Sequence, residues 1–175
     1  MNYGAVGGGI GHELTHGYDD QGRKFDPKGR LAEWWEPEVA GKFVQQAACV
    51  DTFYSAYEIE PGVAVNGKLT LGENIADIGG IKQSYRAYKL WEARHGVPEP
   101  AVEGLTNDQL LFVAWAQVWC TVTTPEQLRL QVTTDPHTPG QFRATGPVSH
   151  NAAFAEAFGC EPGDAMVPDE MCVVW

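Results

Sequence analysis

His12 and His16 stand four residues apart in His12-Glu13-Leu14-Thr15-His16. On a helix, positions i and i+4 share one face, so two imidazoles can hold one Zn²⁺ between them. Glu13 then lies within reach of a water at an open position of the metal. Two histidine ligands, a third ligand from elsewhere and an open fourth position make a centre for metal-assisted peptide hydrolysis. Leu71-Gly72-Glu73-Asn74-Ile75-Ala76-Asp77-Ile78-Gly79-Gly80 offers the third ligand. Glu73 and Asp77 again share a helical face. A carboxylate at Glu73 completes a His₂Glu site. One at Asp77 can accept the outer ring N–H of His12 or His16, fixing its tautomer. Acids on a solvated face seldom have such apolar, glycine-rich neighbours.

Further chemistry-bearing residues lie late in the chain. His137 and Arg143 flank Pro139-Gly140. His137, oriented by Asp135, can donate to the oxyanion of a tetrahedral intermediate. The planar fork of Arg143 can bind a substrate carbonyl. By residue type alone both are ordinary solvated loop residues, and Val118-Trp119 are ordinary core. Asp19 and Asp20 are either acceptors for His16 or exposed turn acids.

The elements that must position these groups read as mostly helical. A zinc-binding helix is expected over 4–18, although each interior glycine of Gly7-Gly8-Gly9 costs about 0.5–1 kcal/mol against alanine. Glu36-Pro37 opens a helix towards Ile59, and Glu60-Pro61-Gly62 breaks it. A second functional helix is expected from Thr70 to Arg94, bent at Gly79-Gly80. Thr106 and Gln109 form a capping box for a helix through Trp119. Pro125 opens a short helix. With three prolines and Gly140, 133–149 reads as an ordered loop, and a last helix covers 151–158. His95 beside Gly96 reads as a helix C-terminus. His150 receives no function.

The 175 residues suit one domain, and 43% hydrophobic residues with six tryptophans can fill its core. A net charge of −11 argues against nucleic acid or an anionic membrane as partner. No stretch approaches a membrane span, and no signal peptide is visible. No nucleotide-binding glycine loop is present. Cys49, Cys120, Cys160 and Cys172 contain no C-x-x-C pair and permit three pairings.

Asn2-Tyr3-Gly4, the run from Gly11 to Asp20, Trp34-Trp35, Leu71 to Asp77, Ala116 to Cys120, Asp135 to Gly140 with Arg143, and Trp175 resemble the neprilysin/endothelin-converting-enzyme family of zinc metallopeptidases. The blocks run in family order from end to end. The resemblance implies a mainly α fold with minor β, the thermolysin-like zincin (gluzincin) catalytic domain, spanning 1–175 and incomplete at its N-terminus. It implies one Zn²⁺ on His12, His16 and Glu73, with Glu13 as general base and Asp77 orienting a ligand. His137 stabilises the transition state and Arg143 binds the substrate. Val118 and Trp119 wall the pocket for an apolar residue after the scissile bond. Gly8 and Gly9 replace bulkier residues there and imply a wider pocket. The substrate class is oligopeptides, in an extracytoplasmic setting, with an N-terminal domain as partner. Cys49 pairs with Cys172, while Cys120 and Cys160 pair upstream. The alternative expectation is a catalytically silent zinc-binding remnant or partner-binding module.

Overall fold

Eight consecutive residues, Asn74–Ile81, are all buried. They belong to helix α3 (Leu71–His95), the axis of the molecule. The computed structural model describes residues 1–175, and most of the other helices pack against this one. A run buried on all sides has no amphipathic stripe because it has neighbours on every face.

Helix α1 (Gly8–Thr15) is the nearest neighbour. A π-helical turn (Tyr3–Gly7) precedes it and a 3₁₀ turn (His16–Tyr18) follows, so the expected single helix divides into three windings. The α1 and α3 backbones touch. A Cβ on Gly11 would lie 2.6 Å from the Gly80 carbonyl oxygen, and one on Gly80 would lie 2.6 Å from the His12 nitrogen. Gly79-Gly80 thus marks where α3 crosses α1, within a helix that continues unbroken to His95.

Helix α2 (Pro37–Ser55) begins with Pro37 at a permitted first-turn position. It buries Phe43, Ala47, Val50 and Tyr54 on one face. These meet Ile75 and Ile78 of α3 and the C-terminal Cys172 and Val174. The Cys49–Cys172 disulfide ties that tail to α2, as the resemblance implied. α2 ends four residues before Ile59. Ile59 instead sits in a hairpin of β1 (Glu58–Glu60) and β2 (Val63–Ala64), closed by Gly62 at φ 79°.

Helix α4 (Asn107–Val118) starts at the Thr106–Gln109 capping box, with both reciprocal bonds formed. Its Leu111, Phe112 and Trp115 pack with Ile81 and Tyr88 of α3 and with Val148. Helix α5 (Pro125–Thr134) follows. The expected loop over 133–149 is corrected: Gly140–Ser149 form helix α6, and Pro147 lies inside it. Pro147 has no N–H to give the carbonyl of Arg143 one turn earlier. Trp115 Nε1–H supplies that bond instead, at 3.0 Å. Asn151 caps the last helix, α7 (Ala152–Phe158).

His150 is buried between α6 and the tail. Its Nδ1 accepts the Cys172 N–H at 3.1 Å, and its ring meets Phe53 edge-on at 4.2 Å. Burial alone pushes its pKa down from 6.5 to about 4.

Two predictions test this packing. Gly80→Ala should destabilise the fold by about 1–3 kcal/mol, because its Cβ meets backbone. Gly9→Ala meets nothing within 4 Å and should stabilise slightly; thermal unfolding of both variants compares them. For His150, the unfolded chain takes up a proton near pH 6.5 and the folded chain only near pH 4. Its contribution is complete above pH 6.5 and falls by about 1.4 kcal/mol per pH unit down to about 4. Denaturant titrations from pH 7 to 4 should show a shallower loss for His150→Gln. Equal slopes would exclude His150 as a source of acid lability.

Candidate metal centre

The α1–α3 crossing places His12, His16 and Glu73 around one point. His12 is on α1, His16 on the 3₁₀ turn and Glu73 in the first turn of α3. The two Nε2 atoms are 3.0 Å apart. Glu73 Oε2 is 3.3 Å from His12 Nε2, and Glu73 Oε1 is 3.5 Å from His16 Nε2. Ligands about 2.0–2.1 Å from a tetrahedral zinc are separated by about 3.3 Å, so this triangle matches three corners of that site.

The outer ring nitrogens are held by acids. Asp77, 1% exposed at its side chain, accepts His12 Nδ1–H on Oδ1 at 2.7 Å. Asp19, buried, accepts His16 Nδ1–H on Oδ2 at 2.6 Å. Backbone N–H groups of Gln21 and Gly22 hold the other Asp19 oxygen at 2.9 and 2.6 Å. These bonds direct both Nε2 lone pairs at the same point. Asp77 therefore serves His12 and Asp19 serves His16, whereas Asp20 pairs with Gln21. Glu73 Oε2 is buried without a hydrogen-bond partner. Two facing lone pairs and an orphaned carboxylate oxygen are a donor set that fits a divalent cation.

The electrostatics agree. Burial disfavours the charged form of His12, but the Asp77 and Glu73 carboxylates outweigh it and raise the pKa to about 9. Burial works the other way on Glu73, yet His12, His137 and His16 hold its carboxyl below the usual range. The pocket favours positive charge at its centre.

Glu13 is exposed beside these ligands and lines a cleft of about 220 Å³ with Gly9, Val118, Trp119, His137 and Arg143. His137 Nδ1 lies 2.7 Å from Asp135 Oδ1, which also accepts the His137 backbone N–H at 2.8 Å. Those bonds, led by the backbone one, hold the Asp135 carboxyl below its ordinary value. His137 Nε2 is 3.3 Å from Glu73 Oε2.

Arg143 is more buried than a loop arginine would be. It grips Asp77 through Nε and Nη2 at 2.7 and 2.8 Å, and its guanidinium lies 3.9 Å from the Trp119 ring centroid. Burial opposes its charge, but Asp77 and Glu73 overcome this and raise its pKa. Val118 is half exposed on the cleft wall. The expectation for Gly8 is corrected. A Cβ there would lie 2.7 Å from the Trp115 ring, so Gly8 makes room for Trp115. Of the two glycines, Gly9 alone lines the cleft.

Known proteins resemble this chain in sequence and fold. Residues 1–174 match peptidase family M13. The chain is 48% identical to bovine (Bos taurus) endothelin-converting enzyme 1, covering all of this chain and 23% of that protein. It is 47% identical to neprilysin-1 of Caenorhabditis elegans, covering all of this chain and 24% of that protein. The fold superimposes on the Mycobacterium tuberculosis zinc metalloprotease Zmp1, in complex with an inhibitor, with a TM-score of 0.91 at 38% identity. That match covers 99% of this chain and 27% of the other. The chain spans about a quarter of the length of its relatives. From its first residue to residue 174, this chain belongs to peptidase family M13.

Proposed function

We propose that this chain carries the catalytic centre of a zinc endopeptidase that cleaves oligopeptides on the amino side of apolar residues. The observation that carries the reading is the convergence of His12, His16 and Glu73 beside Glu13. His12, His16 and Glu73 would hold one zinc per chain. Bound there, zinc supplies a Lewis acid that polarises the scissile carbonyl and activates a water.

The chain's own residues supply the rest. Glu13 takes the proton from the attacking water and passes it to the leaving amine. His137, its ring oriented by Asp135, donates from Nε2 to the developing oxyanion. Arg143 uses two nitrogens on Asp77 and offers Nη1 to a substrate carbonyl. Val118 and Trp119 receive the apolar side chain that follows the cleaved bond.

The setting follows from the same features. The Cys49–Cys172 disulfide supports an oxidising, extracytoplasmic compartment. No helix is long and apolar enough to cross a membrane. Val6, Ile10 and Leu14 form an exposed stripe along the outer side of the π turn and α1. The stripe fits a covering domain of the kind the relatives' extra length provides.

Two measurements test the reading. Glu13→Gln should lower kcat for an internally quenched peptide with Phe after the scissile bond by about 10²–10⁴-fold and leave zinc content unchanged. Equal turnover would remove Glu13 as the base, and a folded, zinc-loaded wild type that cleaves nothing would favour the silent remnant. By metal analysis, Glu73→Ala should lose zinc, while Asp77→Asn should bind it about 10–100-fold more weakly.

A further inference from the structure

Asn74 and Thr138 are both 0% exposed, yet neither contacts the metal ligands' point of convergence. Thr138 Oγ1 donates to Asn74 Oδ1 at 2.7 Å. Asn74 Nδ2 donates to Thr70 Oγ1 at 2.9 Å, and Thr70 Oγ1 donates to the Asn66 carbonyl at 3.2 Å. Each hydroxyl and amide passes its proton in one direction, so the relay fixes which way the Asn74 amide faces. A buried polar chain of this kind is stable only when its members are paired.

The neighbours of this pair give it a consequence. Asn74 directly follows Glu73, and Thr138 directly follows His137. The Thr138–Asn74 bond therefore joins the first turn of α3 to the segment carrying His137. His137 has its own local supports: Asp135 holds its ring and N–H, and Gln131 Nε2 donates to its carbonyl at 3.2 Å. Both belong to α5 or to the segment just after it, so neither relates His137 to the metal ligands. The bond across to Asn74 does.

We infer that Asn74 and Thr138 are positioning residues that hold His137 Nε2 at its working distance from the metal centre. They touch neither substrate nor metal, and they act by locking the register between two elements. The inference rests on the peptidase reading for its effect on turnover, and on geometry alone for its effect on the His137 ring.

Thr138→Val keeps the side-chain shape and deletes the donor. In the zinc-loaded protein it should lower kcat on the same quenched peptide by about 10–100-fold, the scale of an ~1 Å misplacement in an active site. KM and zinc affinity should hold. Thr138→Ser should recover most of the loss. A destabilised fold would instead lower the active fraction and zinc content together and would not respond to serine. Unchanged kcat in Thr138→Val overturns the inference.

A second readout needs no turnover. In the ¹⁵N-histidine-labelled, cobalt-loaded wild type, the His137 ring should give one sharp, paramagnetically shifted set of signals, which Thr138→Val should average or broaden and Thr138→Ser should restore. An unchanged His137 set in Thr138→Val overturns the inference, because Asp135 and Gln131 then suffice to hold the ring. If the wild type cleaves nothing while the set responds in this way, the peptidase reading fails and the positioning role stands. If Thr138→Val does not fold, Thr138→Ala takes its place in the same comparison.

Discussion

Contact between the α1 and α3 backbones at Gly11 and Gly80 is the constraint on which the site depends. At ordinary helix spacing, about 8–10 Å, His12 and His16 on one helix would meet Glu73 and Asp77 on the other through longer side chains or water. Here short imidazoles and carboxylates meet directly, with ligand atoms 3.0–3.5 Å apart. The glycines cost helix propensity in α1, and close packing against α3 and α4 offsets it. Gly8 follows the same logic, admitting Trp115 to the core. Trp115 in turn satisfies the carbonyl that Pro147 leaves unpaired, so α1 packing reaches the helix that carries Arg143.

Asp77 is the second point of dependence. One carboxylate accepts His12 Nδ1–H and two guanidinium nitrogens of Arg143. A carboxylate this buried is tolerable only because it is paired on both oxygens. The pairing links the orientation of a metal ligand to that of a group lining the cleft. It also leaves Arg143 Nη1 outside the Asp77 pair, with the guanidinium carbon 3.9 Å from the Trp119 ring centroid. Arg143 is thus preorganised, and under the proposed role little side-chain entropy would remain to be lost on binding a carbonyl.

What could be read in the sequence was local. Pairs at i and i+4 show which side chains share a face, so the two histidines and the two acids were legible as sets. The Thr106 capping box and Pro37 marked helix starts for reasons contained in four residues. Where partners came from elsewhere in the chain, the reading failed. Pro147 argued against a helix because its missing N–H is a local fact, whereas the indole that compensates lies 32 positions away. Gly8 was expected at a pocket wall from the resemblance, and no local signal reveals that Trp115 fills the space beside it. Asp19 and Asp20 could not be separated, since backbone N–H groups at Gln21 and Gly22 decide which acid turns towards His16.

Asn74 shows the same limit from inside a recognised motif. Successive helical residues are rotated by about 100°, so Asp77 returns to within about 40° of Glu73 while Asn74 points well aside. Periodicity assigns Glu73 and Asp77 to one partner and offers no reason for a buried amide between them. The reason lies in the segment around Thr138, which meets α3 on that second face. One turn of α3 thereby carries two duties. Its Glu73–Asp77 face gathers the candidate metal ligands through α1, and its Asn74 face meets the segment that brings His137 to them. Rigidity on both faces follows from burying the whole of Asn74–Ile81, which is why the site's axis shows no amphipathic stripe.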